Sequence, residues 1–175
     1  FYRSAKRIDI DIPMPFEELR AMVLDFCREI DSPDAMAYVQ ATRGVGMRGH
    51  AYRFAGGTPS LWVWVKPDML DPMDRSYKCI TMEDTRYLHC DIKTINLLPA
   101  VIYTQRAEEA GCDETILHRG ERVTECAHSN VHILKDGVLK TAPCDNLILP
   151  GITRAHRIAQ CREMGIPVVE EPFTL

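Results

Sequence analysis

The sequence predicts a mixed α+β chain in two small domains, and three observations lead there. An early stretch carries apolar residues at helical spacing, the later two thirds alternate short strand-like runs with tight-turn signals, and a proline-bearing stretch without periodicity lies between them. With 175 residues the chain can bury a sizeable core.

The chain opens at Phe1-Tyr2-Arg3-Ser4-Ala5-Lys6 without Met, reading as a helix already under way, and stops at Phe173-Thr174-Leu175 after an apolar run. Both termini read as truncated. Phe16, Leu19, Val23, Phe26, Cys27 and Ile30 recur at helical spacing behind Pro13 and Pro15, which predicts a helix over 15–30. Strands follow at 36–42 and 60–65, with a Gly-rich, Arg-bearing loop between them. The segment from Lys66 to Pro72 is the candidate linker, so 1–67 is read as the remainder of an N-terminal α+β domain and 73–175 as a second domain.

In that second domain a strand is predicted over 78–82 and a helix over 96–110, with Pro99 tolerated in its first turn and Gly111 stopping it. Strands at 115–118 and 122–125 flank a turn at Gly120, and strands at 131–134 and 138–141 flank Asp136-Gly137, a strong hairpin signal. A short strand at 147–149 is expected to run through Pro150-Gly151 into a helix over 153–164.

Charge and composition narrow the partners. A formal net charge of −4 with scattered basic residues offers no stripe for nucleic acid or anionic membrane. No stretch approaches the roughly 20 apolar residues that span a bilayer, and no signal-peptide pattern opens the chain, so a cytoplasmic protein with small-molecule partners is expected. The seven cysteines are odd in number and never spaced Cys-x-x-Cys, which favours free thiols. Strand alternation puts Cys126 and His128 on one face, near His118 and His132, without a clear third and fourth ligand, and no metal is expected.

Four features can carry chemistry. Lys93 sits in Cys90-Asp91-Ile92-Lys93-Thr94-Ile95-Asn96-Leu97-Leu98, a lysine among apolar neighbours, where desolvation would favour the neutral amine that condenses with an aldehyde. A lysine whose stem merely snorkels at a strand end looks the same in sequence. Glu125 ends Arg122-Val123-Thr124-Glu125, where a carboxylate can keep a pyridine nitrogen protonated, and a solvent-facing hairpin glutamate is the plain alternative. Gly151-Ile152-Thr153 precedes a helix and can receive a phosphate, or can be an everyday cap. Arg48 and His50, two residues apart on a Gly-rich loop, can grip a carboxylate together or simply be solvated.

The order of the segments is more specific than any one of them. Arg86-Tyr87-Leu88-His89-Cys90-Asp91-Ile92-Lys93-Thr94-Ile95-Asn96-Leu97-Leu98, then Val123-Thr124-Glu125, then Ser129-Asn130-Val131, then Asn146-Leu147-Ile148-Leu149-Pro150-Gly151-Ile152-Thr153-Arg154, resembles the fold-type IV pyridoxal-phosphate enzymes, and within them the D-amino acid aminotransferases. The resemblance covers essentially the whole chain. It implies two domains, the second a pseudo-barrel with flanking helices, and transamination between D-amino acids and 2-oxo acids through a Lys93 Schiff base with pyridoxal 5'-phosphate. It also implies Glu125 on the pyridine nitrogen, Ile152 and Thr153 on the phosphate, Leu149 on the ring face, Ser129 and Arg86 near the cofactor, and Arg48 and His50 on the substrate carboxylate, reaching across a homodimer. Aminodeoxychorismate lyases and branched-chain aminotransferases share Lys93 and Glu125, and a truncated, non-catalytic copy is a further alternative. Where the family shows Thr-Glu-Gly-Ser-Ser-Ser-Asn, this chain has the bulkier Thr124-Glu125-Cys126-Ala127-His128-Ser129-Asn130. The family's phosphate-binding arginine would fall just before Phe1, and its closing Ser/Thr segment beyond Leu175.

Overall fold

In the computed structural model, which describes residues 1–54, 57–72 and 74–175, the chain divides into two units, Phe1–Arg75 and Ser76–Leu175. Met73, where the second domain was expected to begin, lies outside the described residues.

The first unit opens with helix α1 (Tyr2–Arg7) and continues with α2 (Phe16–Arg28). Pro15 is the N-cap of α2, in extended conformation, and Glu17 and Glu18 in the first turn with Arg28 in the last complement the helix dipole. Of the predicted apolar stripe only Leu19 is fully buried, while Phe16 and Phe26 stay exposed. Helix α2 packs on an antiparallel pair, β1 (Ala35–Thr42) and β2 (Ser60–Pro67), registered from Ala35 opposite Pro67 to Thr42 opposite Ser60. Tyr38 and Trp64 face each other across that pair with stacked rings 5.3 Å apart, the kind of cross-strand contact that fixes register. In the loop between the strands, Gly44 has φ +97°, and a Cβ there would strike the Thr58 carbonyl. A 3₁₀ turn at Tyr52–Phe54, not expected from the sequence, follows.

The second unit holds two three-stranded sheets. Strand β3 (Cys79–Glu83) lies parallel to β4 (Glu114–Arg119), which pairs antiparallel with β5 (Arg122–Cys126). Helix α3 (Leu98–Glu109) joins β3 to β4 with Pro99 in its first turn, and Gly111 follows its end at φ +67°. It packs on β3 and β4, and Tyr103, Leu117 and Ala127 form the buried cluster there, with Met82 against it. The second sheet is the hairpin β6 (His132–Lys135) and β7 (Val138–Thr141), with β8 (Val168–Glu170) parallel to β7. Asp136 and Gly137 both take positive φ at the hairpin turn, as a two-residue primed turn requires. Strand β8 was not anticipated: three residues carry too little alternation to register.

Helix α4 (Ile152–Glu163) starts at Gly151. The strand expected at 147–149 is not one. Its backbone groups are taken by side chains instead: Leu147 N–H by Asp145 at 2.9 Å, Leu147 C=O by Arg86 at 3.0 Å, Leu149 N–H by Glu125 at 3.0 Å and Leu149 C=O by Asn130 at 2.9 Å. All seven cysteines are free. Among the described residues no helix is long and apolar enough to cross a membrane.

Candidate active site

The site grows from the end of β3. Tyr103, 4% exposed on α3, uses its hydroxyl to accept from Thr85 N–H at 2.7 Å and to donate to the Glu83 carbonyl at 3.0 Å. That fixes where the chain leaves the sheet and carries Asp84 and Arg86 inward. The Asp84 carboxylate, with a fully buried side chain, accepts Arg86 Nε at 2.9 Å, Arg86 Nη2 at 3.0 Å, Arg119 Nε at 3.2 Å and the Thr124 hydroxyl at 3.0 Å. Burial alone would push its carboxyl up, but the two guanidinium groups outweigh it and hold Asp84 below the ordinary range.

From that seat Arg86 donates to Glu125 through Nη1, and Nη2, already on Asp84, also reaches the Leu147 carbonyl. Burial opposes the Arg86 charge, yet Asp84 and Glu125 together raise its affinity for the proton. Glu125 on β5 is 5% exposed. Burial pushes its carboxyl up, and the Arg86 charge that opposes this is shared with Asp84, so the net direction is upward. Its Oε2 accepts Asn130 Nδ2 at 2.8 Å and Leu149 N–H at 3.0 Å. Oε1 meets Arg86, and a carboxylate oxygen can accept more than one donor. Glu125 is therefore a buried, aimed carboxylate and not the solvent-facing hairpin residue of the plain alternative.

Helix α4 begins beside this group. No side chain caps its first turn, and Ile152 and Thr153 are exposed there, so the turn presents free N–H groups at the positive end of the dipole. Arg154 anchors it from below, donating to the Ala142 carbonyl at 2.8 Å and Glu170 at 2.9 Å. Leu149 is half-buried at the approach.

Lys93 lies in the loop between β3 and α3. Cys90 N–H bonds the Asn146 carbonyl at 3.1 Å and Asn146 Nδ2 reaches the Leu88 carbonyl at 3.3 Å, which moors this loop to the segment leading into α4. The desolvated lysine expected from the sequence is corrected here: Cys90 and Ile92 are buried, whereas Lys93 is exposed. Cys90 and Ile92 turn inward, while Lys93 and the apolar residues after it, Ile95, Leu97 and Leu98, are exposed. The Ser129 hydroxyl donates to Glu114 at 3.1 Å. In the altered stretch Cys126 and Ala127 are buried, with the Cys126 thiol pushed up to about 12 by burial, and His128 turns outward onto Glu114 at 2.7 Å.

In the first unit Arg48 and His50 are both exposed. His50 lines a recess of about 230 Å³ with Arg43, Tyr52 and Phe54, and Arg48 is not among its lining residues. Arg43 lies 3.8 Å over the Tyr52 ring and donates to the Ile8 carbonyl. Asp84, Arg119, Asn130 and Arg43 are not singled out by any sequence pattern. Asp84 and Arg86 stand two apart at a strand end, and Asn130 lay inside a motif already quoted, so two of the four left a trace.

The sequence profile of the amino-transferase class IV family matches residues 1–175. A D-alanine aminotransferase of Listeria monocytogenes serotype 4b (strain F2365) is 42% identical over 178 residues, covering 99% of this chain and 62% of the relative. The chain thus spans about three fifths of the curated relatives it matches. Among solved structures, the branched-chain aminotransferase of Thermoproteus uzoniensis with norvaline superposes with TM-score 0.85 at 25% identity, over 99% of this chain and 60% of that one. The branched-chain aminotransferase of Thermobaculum terrenum in its PLP form gives TM-score 0.80 at 20% identity over 99% and 59%, a likeness of fold alone. With the motif order, the fold and the full-length profile match in agreement, the chain belongs to the class IV aminotransferase family, of fold type IV.

Proposed function

We propose that the protein carrying this chain is a pyridoxal-phosphate-dependent aminotransferase that exchanges amino groups between D-amino acids, D-alanine among them, and 2-oxo acids. The observation that carries the reading is the Glu125 carboxylate, buried and steered by Arg86, Asn130 and the Leu149 N–H beside an uncapped helix start. The residues suit such a cofactor: a second cation at Glu125 would relieve the burial that raises its carboxyl, and the α4 turn offers N–H donors to a phosphate. When bound, pyridoxal phosphate supplies an aldehyde for amines and a protonated ring that withdraws electrons from the substrate Cα.

The rest falls to the chain. Lys93 would hold the cofactor through its amine and would serve as the base for the proton on the substrate Cα. Glu125 would pair with the ring nitrogen and keep it protonated. Ile152 and Thr153 would hold the phosphate, and Leu149 would pack against the ring. Arg48 and His50 grip the substrate carboxylate from a partner subunit of a homodimer, with exposure and loop position as the support. The second reading is a branched-chain aminotransferase, as the Thermoproteus uzoniensis fold neighbour is. Turnover of D-alanine against L-leucine separates the two. Borohydride fixation of the cofactor, mapped by peptide mass, must fall on Lys93; fixation elsewhere sinks the reading.

A further inference from the structure

We propose that Asn130 is a positioning residue that ties the carboxylate at one end of the cofactor site to the helix start at the other. The proposal rests on the reading that Glu125 meets the pyridine nitrogen and that the α4 turn receives the phosphate. Asn130 spends both hydrogens of its amide, on Glu125 Oε2 at 2.8 Å and on the Leu149 carbonyl at 2.9 Å. Leu149 N–H closes the circuit onto the same Glu125 oxygen at 3.0 Å. The other face of the amide is pressed on the helix: a Cβ at position 151 would overlap Asn130 Oδ1, with Asn130 Cγ next nearest. Gly151 is thus glycine because the asparagine occupies the space, its φ of −66° and ψ of 145° being open to any residue.

Three contacts of one side chain therefore fix the direction of Glu125, the peptide of Leu149 and the approach to the first turn of α4. A shift of Asn130 moves the ring-nitrogen contact and the phosphate contact together. Aspartate at 130 keeps the shape but presents acceptors to two acceptors and sets a second carboxylate against Glu125, so the donor role is lost and replaced by repulsion at the same oxygen. Alanine opens the space beside Gly151.

The test uses the intact protein, stripped of cofactor and titrated with pyridoxal 5'-phosphate, with pyridoxal lacking phosphate, and with inorganic phosphate. Asn130→Asp is expected to weaken pyridoxal 5'-phosphate by about tenfold to a hundredfold, as loss of an orienting outer partner does. It also moves the ¹⁵N resonance of labelled cofactor toward the unprotonated ring nitrogen, which a merely structural residue would not do. Gly151→Ala is expected to weaken phosphate and pyridoxal 5'-phosphate strongly in the wild type, but by no more than about twofold beyond the single loss when Asn130→Ala is already present. Additive single effects, or an Asn130→Asp protein with unchanged nitrogen resonance, would overturn the positioning role while wild-type binding upholds the cofactor reading. A wild type that takes no pyridoxal 5'-phosphate overturns both.

Discussion

The Arg86 guanidinium serves two buried carboxylates at once, Glu125 through Nη1 and Asp84 through Nε and Nη2. Arg86 and Glu125 side chains are 10% and 7% exposed and Asp84 is wholly covered. Arg119 adds a second cation on Asp84 and donates to the Arg86 carbonyl at 2.7 Å, so two acids and two bases balance inside one network. Such a group is costly to bury and costlier to break.

Replacing Arg86 by methionine removes the cation and leaves Glu125 and much of Asp84 uncompensated. The expected loss is about 3–5 kcal/mol of unfolding free energy, read by urea denaturation of the cofactor-free protein. Lysine is expected to recover little of it, because a point charge cannot supply the forked donors that reach Asp84, Glu125 and the Leu147 carbonyl together. A loss below about 1 kcal/mol for Arg86→Met would show that the network contributes no more than a surface pair.

Lys93 makes the opposite case. Its side chain is exposed, so Lys93→Ala is expected to change stability by under about 0.5 kcal/mol, as surface substitutions do. Cofactor incorporation after borohydride should nonetheless vanish. Thermal melts and the fixed-cofactor absorbance, taken on the same samples, separate a structural loss from a chemical one.

This contrast marks what the sequence makes legible. Periodicity and turn signals located the elements around Asp136-Gly137 and Pro99 because those cues are local and act through the backbone. The segment 147–149 misled, since an apolar run looks like a strand whether a strand or the side chains of Arg86, Glu125 and Asn130 take its hydrogen bonds. Arg119 escaped notice for the same reason: it meets Asp84 from 35 residues away in the chain, and no spacing rule reaches that far, whereas Asp84 stands two residues from Arg86. The exposure of Phe16 and Phe26 likewise follows from what packs on a helix face and not from its periodicity.

The pair His128 and Glu114 predicts a pH signature. The Glu114 bond raises the His128 imidazolium above its ordinary 6.5, against burial. Burial would raise Glu114, but His128, the Thr115 N–H and Ser129 outweigh it and hold the carboxyl below its ordinary 4.5. The raised histidine contributes fully below 6.5 and loses its contribution as pH rises through its folded value. The depressed carboxylate contributes above 4.5 and loses it as pH falls through its folded value. The melting difference between wild type and His128→Ala is therefore expected to peak between those limits and shrink on both sides. With the ring 64% exposed, solvent screening keeps it below about 1 kcal/mol. A difference that is flat from acid to alkaline pH would contradict the pair.

Tyr103 connects the core to the site and so allows the two to be told apart. Its ring lies in the buried cluster with Leu117 and Ala127, while its hydroxyl holds Thr85 and the Glu83 carbonyl at the exit from β3. Leu117→Ala empties a site that is 0% exposed and is expected to cost about 2–5 kcal/mol through lost packing and a cavity. Tyr103→Phe keeps the ring and removes only the hydroxyl, leaving the Thr85 N–H and the Glu83 carbonyl short of a partner at about 1–3 kcal/mol. Because Asp84 and Arg86 flank Thr85, the phenylalanine variant should also loosen the Arg86 contact with Glu125 and weaken pyridoxal 5'-phosphate binding beyond what its stability loss explains. Binding measured well below the melting range checks this: equal affinity for wild type and Tyr103→Phe would confine the hydroxyl to the core.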